Sequence, residues 1–234
     1  MAGDSAMLKK EDSNTSIKKN RKDLFDRILS IFIFLPVIML IHFDFMFALF
    51  CFGACIVMAS EIFSTKIRGH FLIRFSTLAI CVLGIGSFIY CRKIFEVSGC
   101  VFLICIASFT DIGAYCFGKA FGGSKLCPKI SPNKTWAGFW GGIFLSNVAF
   151  YCLNNLFLLT YFNWEFLPGG INGFVIVQCI ILASVAGDLL ESLFKRRMGV
   201  KDMGNLFPGH GGMLDRLDSL VLASITLAVI SIFL

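Results

Sequence analysis

The sequence predicts an all-α, polytopic integral membrane protein with about seven transmembrane helices. Three observations predict this class. The chain is 57% hydrophobic and only 15% charged, with 27 phenylalanines among 234 residues, which is too apolar for a water-soluble domain. Its apolar runs approach the ~20 residues that cross a bilayer as a helix. Most of these runs are apolar all round and so lack the polar face that a surface helix of a soluble protein turns to water. The net charge of +6 does not argue for nucleic acid as a partner, because the cations sit beside apolar spans rather than on one soluble face.

In chain order, residues 1 to 22 are polar, with Lys9, Lys10, Lys18, Lys19, Arg21 and Lys22 among Asp, Ser and Asn. That composition predicts a disordered cytoplasmic arm able to touch anionic headgroups. The run Ile28 to Ile41 follows basic residues as a signal peptide would. It lacks a small-x-small cleavage site and more spans follow, so it is read as a membrane helix. Further spans are predicted at 45–63, 71–90, 97–118, 136–158, 171–193 and 214–233, the first two spans being parted only by His42-Phe43-Asp44. Three regions result: the arm at 1–22, N-terminal transmembrane helices at 23–96, and a catalytic transmembrane region at 97–234 with two cytoplasmic substrate loops.

Orientation follows from Lys and Arg, which stay on the cytoplasmic side. With the N-terminus cytoplasmic, that side receives Lys66 and Arg68, then Lys119, Lys125, Lys129 and Lys134, then Lys195, Arg196, Arg197 and Lys201. The opposite side receives Arg92 and Lys93, while the loop Leu159–Gly170 has no cation. The ten cysteines form no CxxC pair and have no histidine at zinc-like spacing, so they read as small apolar packing residues. Gly138 and Gly142 make a GxxxG, a close-packing face within a protomer or across a homodimer. Trp136, Trp140 and Trp164 near span ends suit an interfacial aromatic belt.

Charged residues inside membrane helices cost roughly 2.5–3.5 kcal/mol each on insertion scales. The stretch from Gly187 to Ser219 nevertheless carries Asp188, Glu191, Asp202, Asp215 and Asp218 beside Lys195, Arg196, Arg197 and Lys201. On a helix, Asp188, Glu191, Ser192 and Lys195 share one face, as do Asp215, Asp218 and Ser219. Two such helix ends could aim hard oxygen ligands at one point, which suits Mg²⁺, alone or with a second cation. The competing reading is ion pairing with Lys195, Arg196, Arg197 and Arg216. Gly209, Gly211 and Gly212 would let backbone amides approach an anion, and His210 between them could contact phosphate, act as an acid or simply shape the loop. In the other cytoplasmic loop, Asp111, Tyr115 and Gly118 share a face, followed by Lys119. Ser131, Asn133 or Thr135 can cap the next helix, whose amides together with Lys134 would make a phosphate site.

The run Ser192-Leu-Phe-Lys195-Arg196-Arg-Met-Gly-Val-Lys201-Asp202-Met-Gly204-Asn-Leu-Phe-Pro208-Gly209-His210-Gly211-Gly212-Met-Leu-Asp215-Arg216-Leu-Asp218-Ser219 closely resembles the signature of the phosphatidate cytidylyltransferases, or CDP-diacylglycerol synthases. Asp111-x-x-Ala114-Tyr115-x-x-Gly118-Lys119 and Ser131-Pro132-Asn133-Lys134-Thr135 are similar to further motifs of that family. The likeness covers roughly residues 108–220, with Glu61 as a further point of similarity, and the chain has fewer spans than many bacterial members. The resemblance implies transfer of CMP from CTP to phosphatidic acid, with release of pyrophosphate, at an Mg²⁺-dependent site within the membrane; compact size and the lack of an evident transit peptide favour a bacterial inner (cell) membrane over an organellar one. It implies Asp188, Asp215 and Asp218 as metal carboxylates, and Lys195, Arg196, Lys201 and Arg216 as phosphate-neutralising groups. Asp202 and His210 join this catalytic set. Ser131, Lys134 and Thr135 would hold nucleotide or lipid phosphate, with Asp111, Tyr115, Lys119, Asn133, Gly209, Gly211 and Gly212 on the substrate side.

Because a phosphate nucleophile is already ionised near neutral pH, no side-chain nucleophile or obligatory base is required. A cation- or proton-coupled transporter would put charges near mid-bilayer on both sides of a barrier, whereas these gather at cytoplasmic helix ends. A CTP-dependent polyprenol or phytol kinase would move the γ-phosphoryl instead. A CDP-alcohol phosphotransferase would carry a DGxxAR, which is absent.

Overall fold

A computed structural model describes residues 43–64, 71–155, 167–204, 206 and 211–233. The arm at 1–22, the span Ile28–Ile41, Gly209 and His210 lie outside the described residues. The chain divides into two compact units, 1–47 and 48–234. The described elements are α1 (Asp44–Ile62), α2 (Phe71–Phe121), β1 (Lys125–Cys127), β2 (Ser131–Thr135), α3 (Trp136–Asn155), α4 (Gly170–Arg197) and α5 (Leu214–Ser231). The fold is therefore mostly helical. Of these, α1, α2 and α4 are long and apolar enough to cross a membrane.

Two spans predicted at 71–90 and 97–118 fall within the continuous α2, which breaks at Glu96 with φ 56° and ψ −149°. The thiol of Cys100 lies 4.0 Å from the Phe88 carbonyl, twelve residues away. A straight helix would carry those residues about 18 Å apart along its axis. The chain thus folds back at Glu96, and the expected pair of helices exists as two limbs, 71–95 and 97–121. In the second limb every residue from Ser98 to Ile104 is buried, so this stretch is enclosed on all sides, while the limb's end from Lys119 to Phe121 is exposed.

One expectation is corrected here, since the segment before α3 is not all-α. β1 and β2 form an antiparallel hairpin in which Lys125 faces Thr135 and Cys127 faces Ser131. A loop packed between helices must satisfy its own backbone N–H and C=O groups, and strand pairing does so. The hairpin follows Gly122 and Gly123, at φ 60° and 89°. Gly122 donates its N–H to the Gly118 carbonyl at 3.0 Å, ending α2 with the left-handed residue that glycine adopts without a Cβ clash.

The second limb of α2 packs on α3 through small residues. A Cβ on Gly113 would lie 2.5 Å from the Gly141 carbonyl oxygen, one on Gly138 2.6 Å from the Ala114 carbonyl, and one on Gly142 2.9 Å from the Thr110 carbonyl. The GxxxG face is therefore used within the chain. Beside it, the Thr110 and Ser146 hydroxyls hydrogen-bond at 2.7 Å in a fully buried setting. Further along, the Gln178 amide nitrogen of α4 donates to the Asn147 carbonyl oxygen of α3 at 2.6 Å. Gly113→Ala is expected to lower Tm in detergent, at a cost of about 1–3 kcal/mol for forced backbone movement. Gly86→Ala, whose added methyl meets nothing within 4 Å, is expected to leave Tm unchanged or raise it. Equal effects from both would disprove the packing account.

Large apolar side chains including Phe52, Leu72, Leu83, Trp140, Tyr151 and Phe174 are exposed. An apolar surface this extensive suits lipid rather than water.

Candidate active site

The last turns of α4 and the first turns of α5 pack tightly because Gly187 has no side chain: a Cβ there would meet the backbone of Asp218 and Ser219. The closeness brings their charged faces together. Lys195 lies 2.5 Å from Glu191 Oε2 and 2.9 Å from Asp215 Oδ1, with all three side chains no more than 15% exposed. Asp188, one turn earlier on the Glu191 face, forms an ion pair with Lys134 from β2. Burial lowers the pKa of Lys134, and the negative charges of Asp111 and Asp218 offset this only in part. Three segments far apart in sequence thus converge at one end of the bundle, bringing together Asp188, Glu191, Asp215, Asp218, Lys134 and Lys195.

The hairpin is held over this cluster at its turn, where Arg196 Nε donates to the Ile130 carbonyl at 3.1 Å. Arg196 therefore positions the loop in addition to presenting charge. Of the three capping candidates, Thr135 caps α3: it is buried, and its hydroxyl accepts from the Gly138 N–H at 3.1 Å. Asn133 is exposed and Ser131 is half-buried in the same strand. Lys119 donates to the Tyr115 hydroxyl at 3.3 Å, its ammonium 5.5 Å from the ring centroid. That pair stays on one exposed face of α2. Lys201 and Asp202 are exposed just after α4, and Arg216 is half-buried and engaged.

Asp215 accepts hydrogen bonds from the amides of Met203, at 3.0 Å, and Gly212, at 2.7 Å, on Oδ2. With Lys195 on the other oxygen, it anchors the loop that precedes α5. Gly211, at φ 83°, lies where a Cβ would come 2.6 Å from that same Oδ2. Gly211 and Gly212 therefore make room for carboxylates, a reason distinct from the anion cradle that spacing suggested. Asp218 Oδ1 accepts from the N–H of Ser219 at 2.7 Å.

Among the described residues, no three His, Cys, Asp or Glu side chains form a group that could hold a metal ion. Asp188, Asp215 and Asp218 are thus not gathered as one set, because Asp188 is drawn to Lys134 and Asp215 to Lys195 and the loop amides. The donors still fit Mg²⁺, which takes as few as one or two carboxylates and keeps water and phosphate in its other positions. Glu191 is 4% exposed, and its Oε2 lies 2.5 Å from the Lys195 ammonium. A buried carboxylate is costly unless a cation compensates it, and the Lys195 ammonium does so here. Glu191 and Asp218 also line one side of a cleft whose other walls include Thr77, Cys81, Leu190 and Val221.

Two carboxylates were missing from the residues expected to form the site. Glu191 shares the Asp188 and Lys195 face, and its i, i+4 relation to Lys195 was a legible signal. Glu61, at the end of α1, was visible in sequence only as a further point of family similarity, without a stated role.

A sequence profile of the Cytidylyltransferase family matches residues 70–234. The chain is 48% identical over 116 residues to the phosphatidate cytidylyltransferase of Haemophilus influenzae, covering 48% of this chain and 38% of that one. It is 44% identical over 124 residues to that of Brucella suis, covering 53% and 43%. Against that of Staphylococcus aureus it is 39% identical over 149 residues, covering 62% and 54%. These matches span about half the length of the curated relatives. The profile covers well over half of this chain, including the cation-rich loops and both helix ends of the acidic cluster, so the chain belongs to the Cytidylyltransferase family.

Proposed function

We propose that this chain transfers the cytidylyl group of CTP to phosphatidic acid, giving CDP-diacylglycerol and pyrophosphate, as the names of its relatives suggest. The observation that carries the reading is the meeting of Lys134, Asp188, Glu191, Lys195, Asp215 and Asp218 from three separate segments. A phosphate oxygen of phosphatidic acid attacks the α-phosphorus of CTP, a P–O bond forms, and the bond to the β-phosphate oxygen breaks to release pyrophosphate. The attacking oxygen is already ionised, so no side chain need remove a proton. The harder task is to hold two polyanions together, and Lys134 and Lys195, with Arg196, Lys201 and Arg216 nearby in sequence, are suited to it. One or two of the cluster's carboxylates, Asp218 with Glu191, would hold Mg²⁺, whose chemistry is to neutralise charge on the α-phosphate and the leaving pyrophosphate.

In this reading the site lies in a bacterial inner membrane, crossed about seven times if α1, α4, both limbs of α2, α3, α5 and the run Ile28–Ile41 each span it. The lysine-rich loops and N-terminus would then face the cytoplasm. CTP would arrive from water and phosphatidic acid laterally from the bilayer.

The test uses purified full chain in detergent with phosphatidic acid, Mg²⁺ and CTP labelled at the α-phosphate. Label is expected in the lipid, dependent on phosphatidic acid and lost on chelation. If the lipid stays unlabelled while γ-label passes from CTP to a supplied polyprenol, the protein is a kinase and this reading fails.

A further inference from the structure

We infer that Glu61, outside residues 70–234 matched to the family, is a positioning residue that sets the acidic end of α5. Its carboxylate is 8% exposed. One oxygen accepts from the N–H of Met213 at 2.8 Å and the other from the N–H of Leu214 at 3.1 Å. The first amides of a helix have no partner within it and need an acceptor. Met213, the N-cap residue of α5, is in the right-handed helical region and makes no side-chain cap. Glu61 therefore caps α5 from about 150 residues away in sequence, and its negative charge faces the positive end of the helix dipole.

Two glycines record the same contact. A Cβ on Gly212 would lie 2.5 Å from one Glu61 oxygen and 2.6 Å from the other, and one on Gly204 would lie 2.6 Å from the carboxyl carbon. The loop entering α5 is thus clamped by two carboxylates. Asp215 holds the amides of Met203 and Gly212, and Glu61 holds those of Met213 and Leu214. Glu61 fixes the first turn of α5, which carries Asp215 and leads into Asp218, and so acts on the reaction through them. This role rests on the transfer reading above, but the clamp itself is measurable without turnover.

The test compares wild type, Glu61→Ala, Glu61→Gln, Gly212→Ala and the double variant Glu61→Ala/Gly212→Ala by α-label transfer and by amide hydrogen exchange over residues 211–217. Glu61→Ala is expected to lower kcat about a hundredfold, the cost of a small misplacement of reacting groups, with KM for CTP unchanged and exchange accelerated. Glu61→Gln keeps one acceptor oxygen but sets its amide NH2 against the second backbone N–H, so it recovers only part of both. Gly212→Ala evicts the carboxylate, so the double variant is no slower than either single one. Wild-type kcat and exchange in Glu61→Ala, or losses that multiply in the double variant, would overturn the inference. An inactive wild type would instead count against cytidylyl transfer, leaving exchange to decide on the clamp.

Discussion

Lys195→Met is expected to lose both transfer activity and about 3–5 kcal/mol of stability, the usual cost of removing one partner from a buried ion pair. The ammonium lies between Glu191 and Asp215, side chains only 5% and 8% exposed. Methionine fills the volume but leaves two buried carboxylates facing each other without a cation. The measurements are Tm in detergent and α-label transfer. Lys195→Arg should keep most of the stability. Adding Glu191→Gln to Lys195→Met should restore part of Tm but no turnover, because it removes the uncompensated charge without supplying a cation for phosphate. An unchanged Tm in Lys195→Met would show that the triad is not held as described.

Asp218→Asn is expected to cut kcat by about 10²–10³-fold, the loss typical of removing one electrostatic contact to the reacting centre, with Tm unchanged. Asparagine keeps an oxygen for the N–H of Ser219 and removes only the charge. Asp215→Asn should behave differently. Its Oδ2 receives two backbone amides and its Oδ1 faces Lys195, so an amide group placed there sets donor against donor on one side or the other. Activity and Tm should fall together. Near-normal turnover in purified Asp218→Asn would remove that residue from the proposed metal set. Equal Tm losses in the two variants would erase the distinction between a loop anchor and a reaction-site carboxylate.

Several features were legible because their signals are local. The helix at Asp44–Ile62, both limbs of α2 and the helices from Trp136, Gly170 and Leu214 follow apolar runs whose ends carry charge or glycine. The shared face of Asp188, Glu191 and Lys195 follows from helical spacing alone. Glu61 was not legible as a cap, because nothing near residue 61 says which amides, some 150 residues later, will lie beside it. Gly211 and Gly212 suggested an anion cradle for a similar reason. A glycine requirement signals close approach, but only the fold shows that the approaching groups are the Asp215 and Glu61 carboxylates.

The amino-acid sequence by itself determined the helical membrane class, the placement of most helices, the face of charges on α4 and the fixed-spacing motif that points to cytidylyl transfer. Those properties depend on composition and short-range periodicity. Only the tertiary structure decided that the chain reverses at Glu96, that Gly138 and Gly142 pack inside one chain, and that a strand pair carries Lys134 to Asp188. It also decided which carboxylates are held by backbone amides and which by an ammonium group. The physical reason is that a buried charge takes its character from the groups around it, and those groups arrive from distant parts of the chain.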